Sequence, residues 1–300
     1  MTQRDHAPRR RASFVLAGAV ALSVSGCALL PGGTSPSSTG TPEVPLETTS
    51  THDATASSSS TSASGNPTGP KPTTPDPVAL ADDMRTYMDA ASSVTIRGTL
   101  HDTERDMQMK IHAEGSTAGL AQQVTSDAGI SRTTLELPSG GTMESIVVGW
   151  DHYLRVDQQW IDTRKPKLDS PLRKRVGEWV KVPRQQSPVE QYKPHRLLKS
   201  SFFGVGLTPE DVRRSPASTV PLGDEWAYLL QLNKAGKEGG NDQQRQVWLS
   251  TDGNAALLKM TYGTYPARTT LSFSDWGSSR ENWKAPAGAR TLKEFGDEDL

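Results

Sequence analysis

From residue 94 onward, apolar residues recur at every second position. Val94, Ile96, Gly98 and Leu100 alternate with polar neighbours, and Met107, Met109, Ile111 and Ala113 do the same after the polar turn HDTERD. A period of two puts successive side chains on opposite faces of an extended chain, so each segment has one face to bury and one to leave in water. Two such segments around a polar turn predict a hairpin with a single apolar face. The pattern returns at 130–137 and 143–148 around PSGG, then at 153–156 and 179–182. It closes with 225–232, 246–250, 256–262 and 268–273, where STDGNAA marks a tight hairpin turn. About nine or ten strands are too many for a flat open sheet, so curvature is expected.

Helical signals are fewer. Asp76 can cap a helix that Pro77 begins, and Leu80, Met84, Tyr87, Met88 and Ala91 recur on one of its faces. A short helix is expected at 171–176, ended by Gly177, and a strand follows that Pro183 ends. Helical pieces and loops are expected over 189–214, with Thr208-Pro209-Glu210-Asp211 as one helix start. The fold class is therefore α+β: one strongly curved antiparallel sheet with its helices on the concave face, which is the shape of a container.

Upstream of the helix the composition changes. Residues 27–77 are dominated by Ser, Thr, Pro and Gly, and such a tract cannot bury enough apolar surface to fold. It reads as a tether. Before it, Arg9-Arg10-Arg11 precede an uncharged, mainly apolar run over 12–24 and then small residues up to Cys27, the only cysteine of the chain. That run is shorter than the roughly 20 residues a membrane-spanning helix needs, so residues 1–26 read as a signal peptide. Phe14 falls one position late for twin-arginine export, which favours general secretion. A chance cysteine behind a secretory signal is the plainer alternative. Val24-Ser25-Gly26-Cys27, however, resembles the lipobox of bacterial lipoproteins. That resemblance implies that Cys27 is lipidated, in the manner of a diacylglyceryl and palmitate anchor, and holds the protein on the extracytoplasmic face of a cell membrane. More than one acyl chain makes such anchoring stable. The domain expected to act is then 78–295, followed by an acidic tail at 296–300.

Charge and motifs exclude several functions. With 33 Lys plus Arg against 34 Asp plus Glu, the chain has no basic excess to suit nucleic acid. Arg173-Lys174-Arg175 fits a solvated helix face. No G-x-S-x-G elbow, phosphate-binding Gly-rich loop or H-E-x-x-H pair occurs, so neither an enzyme nor a cofactor is expected. His101, His112 and Asp106 could meet across the first hairpin, but exposed turn residues are the plainer reading, and no metal site is assigned. Asp151-His152 falls in a turn signal without a nucleophile beside it. Asp224 and Glu225 precede a strand, where carboxylates usually meet water.

Several segments in order along the chain carry a wider resemblance: ASSVTIRGTL, WDHYLRV, GEWVKVP, LSFSDWG and WKAPAGARTL. From about Ala79 to Leu292 the chain resembles the actinobacterial lipoproteins of the LppX/LprG group. The resemblance implies a half-barrel like that of the LolA and LolB carriers, with an apolar cavity between sheet and helices that binds or moves lipid or glycolipid. In such a half-barrel the cavity-lining side chains would be Met84, Met88, Met107, Met109, Ile111, Leu135, Leu137, Ile146, Val148, Leu229, Val247, Leu249, Leu258, Met260, Leu271 and Phe273. The same rows fit a dry core equally well, since periodicity does not reveal a void. A protein-interaction or sensor module of the cell envelope is the alternative to a lipid carrier, and partner proteins are not named by the sequence.

Overall fold

The computed structural model describes residues 67–102, 106–117, 129–165, 171–199, 215–232, 245–263, 265–279 and 282–295. The domain opens with helix α1 (Pro77–Ala90). The Asp76 carboxylate accepts from the backbone N–H of Val78 at 3.0 Å and of Ala79 at 3.1 Å, and Pro77 occupies the first turn. Both devices satisfy or remove N–H groups that a helix start leaves without partners. The helix buries Leu80 and Met88 against the sheet and ends at Ala91, whose backbone is extended. A helix of this length is marginal by itself, so packing of that stripe holds it.

Strands β1 (Ser93–Asp102), β2 (Met107–Ser116), β3 (Gly129–Glu136), β4 (Thr142–Gly149), β5 (Asp151–Val156) and β6 (Val180–Val182) form one antiparallel meander. Between β5 and β6 lie α2 (Gln158–Arg164) and α3 (Pro171–Lys174). After β6 come two single 3-10 turns, Arg184–Gln186 and Glu190–Tyr192, and α4 (Pro194–Leu198). A second meander follows: β7 (Ala217–Leu222), β8 (Glu225–Leu232), β9 (Arg245–Ser250), β10 (Leu257–Tyr262) and β11 (Thr269–Ser274). Strand β12 (Arg290–Thr291) is the last.

Pairing of β1 with β11 joins the two meanders into one sheet of order β12-β6-β5-β4-β3-β2-β1-β11-β10-β9-β8-β7. The sheet is large, curved and unclosed, and with its few helices it makes an α+β half-barrel. Two details depart from the sequence reading. Among the described residues twelve strands form where the sequence leads to nine or ten, because β7 and the two-residue β12 carry little alternation. The sheet is also mixed, since β12 runs parallel to β6.

Gly98 shows what the junction of the meanders requires. It sits in β1 opposite Leu271 of β11 with φ of +153°, and a Cβ there would overlap the Thr270 carbonyl and lie 2.9 Å from the Leu271 Cα. Only glycine permits so close an approach of two backbones within a strand.

The end of the tether belongs to the folded unit. Thr219 Oγ1 donates to the Pro72 carbonyl at 3.2 Å and lies 2.7 Å from Thr74 Oγ1. Trp226 Nε1 donates to the Gly69 carbonyl at 3.3 Å, and Lys71 Nζ stands 5.8 Å from the Trp226 ring centre. Residues 69–74 thus lie along the outermost pair β7 and β8, whereas the sequence reading ran the tether to 77. Edge strand β7 also carries Pro221, which has no N–H to offer a further strand.

Candidate functional site

The inner face of the sheet can be followed residue by residue through the register. Leu230, Val247, Met260, Leu271, Gly98, Ile111, Leu135, Met143 and Val156 are successive cross-strand partners from β8 to β5. Eight of these nine are apolar side chains, all buried, and the ninth is the glycine of the junction. A parallel row runs Phe273, Ile96, Ala113, Thr133, Ser145, Leu154 and Val180. The apolar members of both rows belong to one hydrophobic cluster with Leu80 and Met88 of α1, Trp160 and Ile161 of α2, and Leu197 and Leu198 of α4. Burying a side chain of leucine size stabilises by roughly 1.5–3 kcal/mol, so this face dominates the energetics of the fold.

The structure sorts the residues that the sequence placed inward. Met88, Met109, Ile111, Leu135, Leu137, Val247, Leu249, Met260, Leu271 and Phe273 lie in the inner cluster, and Met84 and Met107 pack partly buried at its margin. Four others do not face it. Ile146 and Val148 are half-buried on the outer face, and Met143, Ser145 and Val147 take the inner positions. Strand β4 carries apolar residues on both parities, and Glu144 decides between them: it shares the outer face with Ile146 and binds Arg132 at 3.0 Å and Arg155 at 2.8 Å from neighbouring strands. Leu229 pairs with Trp248 on the outer face, flanked by the inward Tyr228 and Leu230. Leu258 is the extra residue of a bulge between Leu257 and Lys259, so Leu257 turns inward in its place. A bulge shifts the alternation by one, and no local periodicity announces it.

A third inner row mixes valines with the polar Ser131 and His152. Gly115, Ser131, Val147, His152 and Val182 are successive partners across β2 to β6, and His152 has no solvent exposure. The pair Asp151-His152 therefore starts β5 and does not sit in a turn. Over this row lies the segment 184–198, tied to β3 by Thr133 Oγ1 donating to the Tyr192 carbonyl at 3.4 Å.

That segment brings a carboxylate and several cations together. Glu190 Oε2 lies 2.7 Å from Lys193 Nζ and 3.4 Å from His152 Nε2. Its Oε1 lies 3.1 Å from Arg184 Nη2 and 3.6 Å from Arg196 Nη2. Burial works to raise the Glu190 pKa, yet the bond from Lys193 and the charges of Lys193 and Arg184 hold it below the ordinary range. Burial also lowers the pKa of Lys193, against the pull of Glu190. His152 is pushed down to about 4, first by burial and then by the Lys193 charge. His195 is likewise pushed down to about 4, by burial and then by Lys193 and Arg196. Both imidazoles are neutral at pH 7, and Arg184, Lys193 and Arg196 all approach the Glu190 carboxylate.

Two cavities open beside this cluster. One, of about 440 Å³, is lined by Ser187, Pro188, Glu190, Gln191 and Arg196. The other, of about 480 Å³, is lined by Asp151, Val182, Arg184 and Leu292 among others and is flanked by Trp150, which is 53 % exposed and lies 5.2 Å from the Arg184 guanidinium carbon. Arg184 lines the second cavity while its ion-pair partner Glu190 lines the first.

Other groups singled out in the sequence stay apart. His101 Nε2 lies 3.5 Å from Asp106 Oδ1, whereas His112 Nε2 approaches Glu114 at 2.6 Å. Among the described residues no group of three or more His, Cys, Asp or Glu is placed to hold a metal ion. Asp224 and Glu225 are exposed at the β7–β8 turn. Cys27, Thr208 to Asp211 and the tail 296–300 lie outside the described residues. The sequence reading missed Glu190, Lys193, His195 and Arg196. Extending the β5 alternation back from Val156 and Leu154 would have placed His152 inward; for the other four, a fold in three dimensions is needed.

No family model matches this sequence, and no curated protein matches it. Among solved structures, the crystal structure of LprF from Mycobacterium bovis is similar at 14% identity and a TM-score of 0.45, over 74% of this chain and 100% of that chain. The crystal structure of the Mycobacterium tuberculosis lipoprotein LppX is similar at 11% identity and a TM-score of 0.41, over 67% of this chain and 94% of that one. A chain of the Pseudomonas aeruginosa MucA/MucB complex is similar at 10% identity and a TM-score of 0.29, over 71% of this chain and 59% of that one. LprF and LppX are mycobacterial lipoproteins of the LppX/LprG group.

Proposed function

We propose that this chain is an extracytoplasmic lipoprotein, anchored in a cell membrane through lipidated Cys27, that binds or carries lipid or glycolipid between its curved sheet and the helices on it. The observation that carries this reading is the inner row from Leu230 to Val156. At about 4.8 Å between strands, its nine positions form a row of roughly 38 Å that is hydrocarbon apart from one glycine and lies buried in the core cluster. An acyl chain laid across the strands would meet no polar group along that row. The lipobox-like Val24-Ser25-Gly26-Cys27 and the Ser/Thr/Pro tract support the anchored, extracytoplasmic part of the reading. The role is that of a carrier and not of a catalyst.

Native mass spectrometry of the chain extracted from its own host tests this. The expected result is a noncovalent adduct of lipid mass, in addition to the anchor. A chain that emerges bare and takes up no lipid from liposomes overturns the reading. A second reading, an interaction or sensor module on the same fold, rests on the exposed Trp150 beside its cavity; in that case the bare chain would still capture an envelope protein through that face.

A further inference from the structure

The outermost strands hold the end of the tether on one face. Trp226, Tyr228 and Leu230 of β8 share that face with their cross-strand partners Pro221, Thr219 and Ala217 of β7. The tether is bound through side chains: Trp226 Nε1 donates to the Gly69 carbonyl at 3.3 Å and Thr219 Oγ1 to the Pro72 carbonyl at 3.2 Å. That bond uses the single hydrogen of the Thr219 hydroxyl, so the Thr74 hydroxyl, 2.7 Å away, donates to it. Thr219 is only 3% exposed although β7 lies at the sheet edge. The bound segment reads Gly69-Pro70-Lys71-Pro72-Thr73-Thr74-Pro75. Each proline fixes its own φ near −65° and drives the residue before it toward extended backbone, which favours a polyproline II conformation. In that conformation carbonyls three residues apart point the same way and stand about 9 Å apart. Gly69 and Pro72, the two acceptors, have that spacing. Aromatic-lined grooves recognise proline-rich segments, and a tryptophan N–H suits their free carbonyls. Lys71 Nζ, 5.8 Å from the Trp226 ring centre, adds a cation–π contact.

We propose that the face built by Trp226 and Thr219 is a recognition site for a proline-rich extended protein segment, and that residues 69–74 are its resident occupant, exchangeable for a like segment supplied in trans. The prolines leave the segment little backbone freedom to lose on docking, so a few side-chain bonds suffice to hold it. A trans segment that takes the face frees the chain up to Pro75, which at about 3.1 Å per residue adds roughly 20 Å to the reach of the tether. The site is independent of what the interior of the half-barrel carries.

The test uses the full chain carrying Cys27→Ser and a fluorescein-labelled peptide of residues 67–77, followed by fluorescence anisotropy. Pro70→Ala with Pro72→Ala in the chain weakens the resident segment, which otherwise competes at the high effective concentration of an intramolecular ligand. The peptide is therefore expected to bind this variant at least ten-fold more tightly than the chain that keeps both prolines. In the same background Trp226→Phe, which keeps an aromatic ring and removes the N–H donor, should lower the affinity at least five-fold. Thr219→Val should lower it several-fold, with circular dichroism as the check on folding for both. A peptide with alanine in place of Pro70 and Pro72 should bind at least ten-fold more weakly. Equal binding to the chain with and without the proline substitutions shows that the resident and the peptide do not share a site, and overturns the proposal. Affinity unchanged by both Trp226→Phe and Thr219→Val overturns it as well, as does a peptide that binds none of the variants.

Discussion

Lys193 Nζ stands 2.7 Å from Glu190 Oε2 although the lysine is almost wholly withdrawn from water. The two partners are not equivalent, because Glu190 also faces Arg184, Arg196 and His152. Glu190→Gln leaves a buried ammonium without its carboxylate and should cost about 3 kcal/mol. Lys193→Met removes the buried charge itself while two arginines still compensate Glu190, and should cost less than about 1 kcal/mol. Urea denaturation of the two variants checks the asymmetry, and equal losses would refute it.

Stability should fall as the solution is acidified from about pH 6.5 to about pH 4. His152 and His195 have folded pKa values near 4, so over that interval the unfolded chain takes up protons that the folded chain refuses. A shift of that size is on the order of 3 kcal/mol for each imidazole. The lowered Glu190 pKa has the same sign, its stabilisation being lost as pH falls below the ordinary carboxylate range. His152→Leu should flatten the slope of stability against pH in the upper part of the interval. An unchanged slope would show that His152 titrates normally.

Gly98→Ala tests the junction of the two meanders. The new methyl group would overlap the Thr270 carbonyl in a backbone conformation that alanine rarely adopts. A loss of at least about 2 kcal/mol is expected, seen as a melting temperature lower by roughly 4–8 °C.

The parity of β4 is testable by truncation. Val147→Ala removes methyl groups from a fully buried position and should cost about 2 kcal/mol. Val148→Ala lies on the half-buried outer face and should cost under about 1 kcal/mol. The reverse order would place β4 one residue out of register.

For the anchor, Cys27→Ala is expected to leave the chain as an uncleaved or unlipidated form that incorporates no labelled palmitate. Mature lipidated protein in the membrane fraction of that variant would remove Cys27 from the role.

Local signals in the chain determined helix α1 and its Asp76 cap, the succession of alternating segments, and hence an α+β fold with one apolar sheet face. These depend on neighbours within a few residues, which is the range over which periodicity and capping act. Tertiary structure alone decided the rest. The pairing of Ile96 with Phe273 that joins the meanders spans most of the domain and leaves no mark in either segment. In β4 and β10, apolar residues occupy both parities, so the Glu144 ion pairs and the bulge after Leu257 choose the inner row. The Glu190 cluster was the least legible of all. Charged residues in a segment such as VEQYKPHR read as surface until the chain folds them over His152, and their burial depends on contacts from distant strands rather than on the order of residues in the segment.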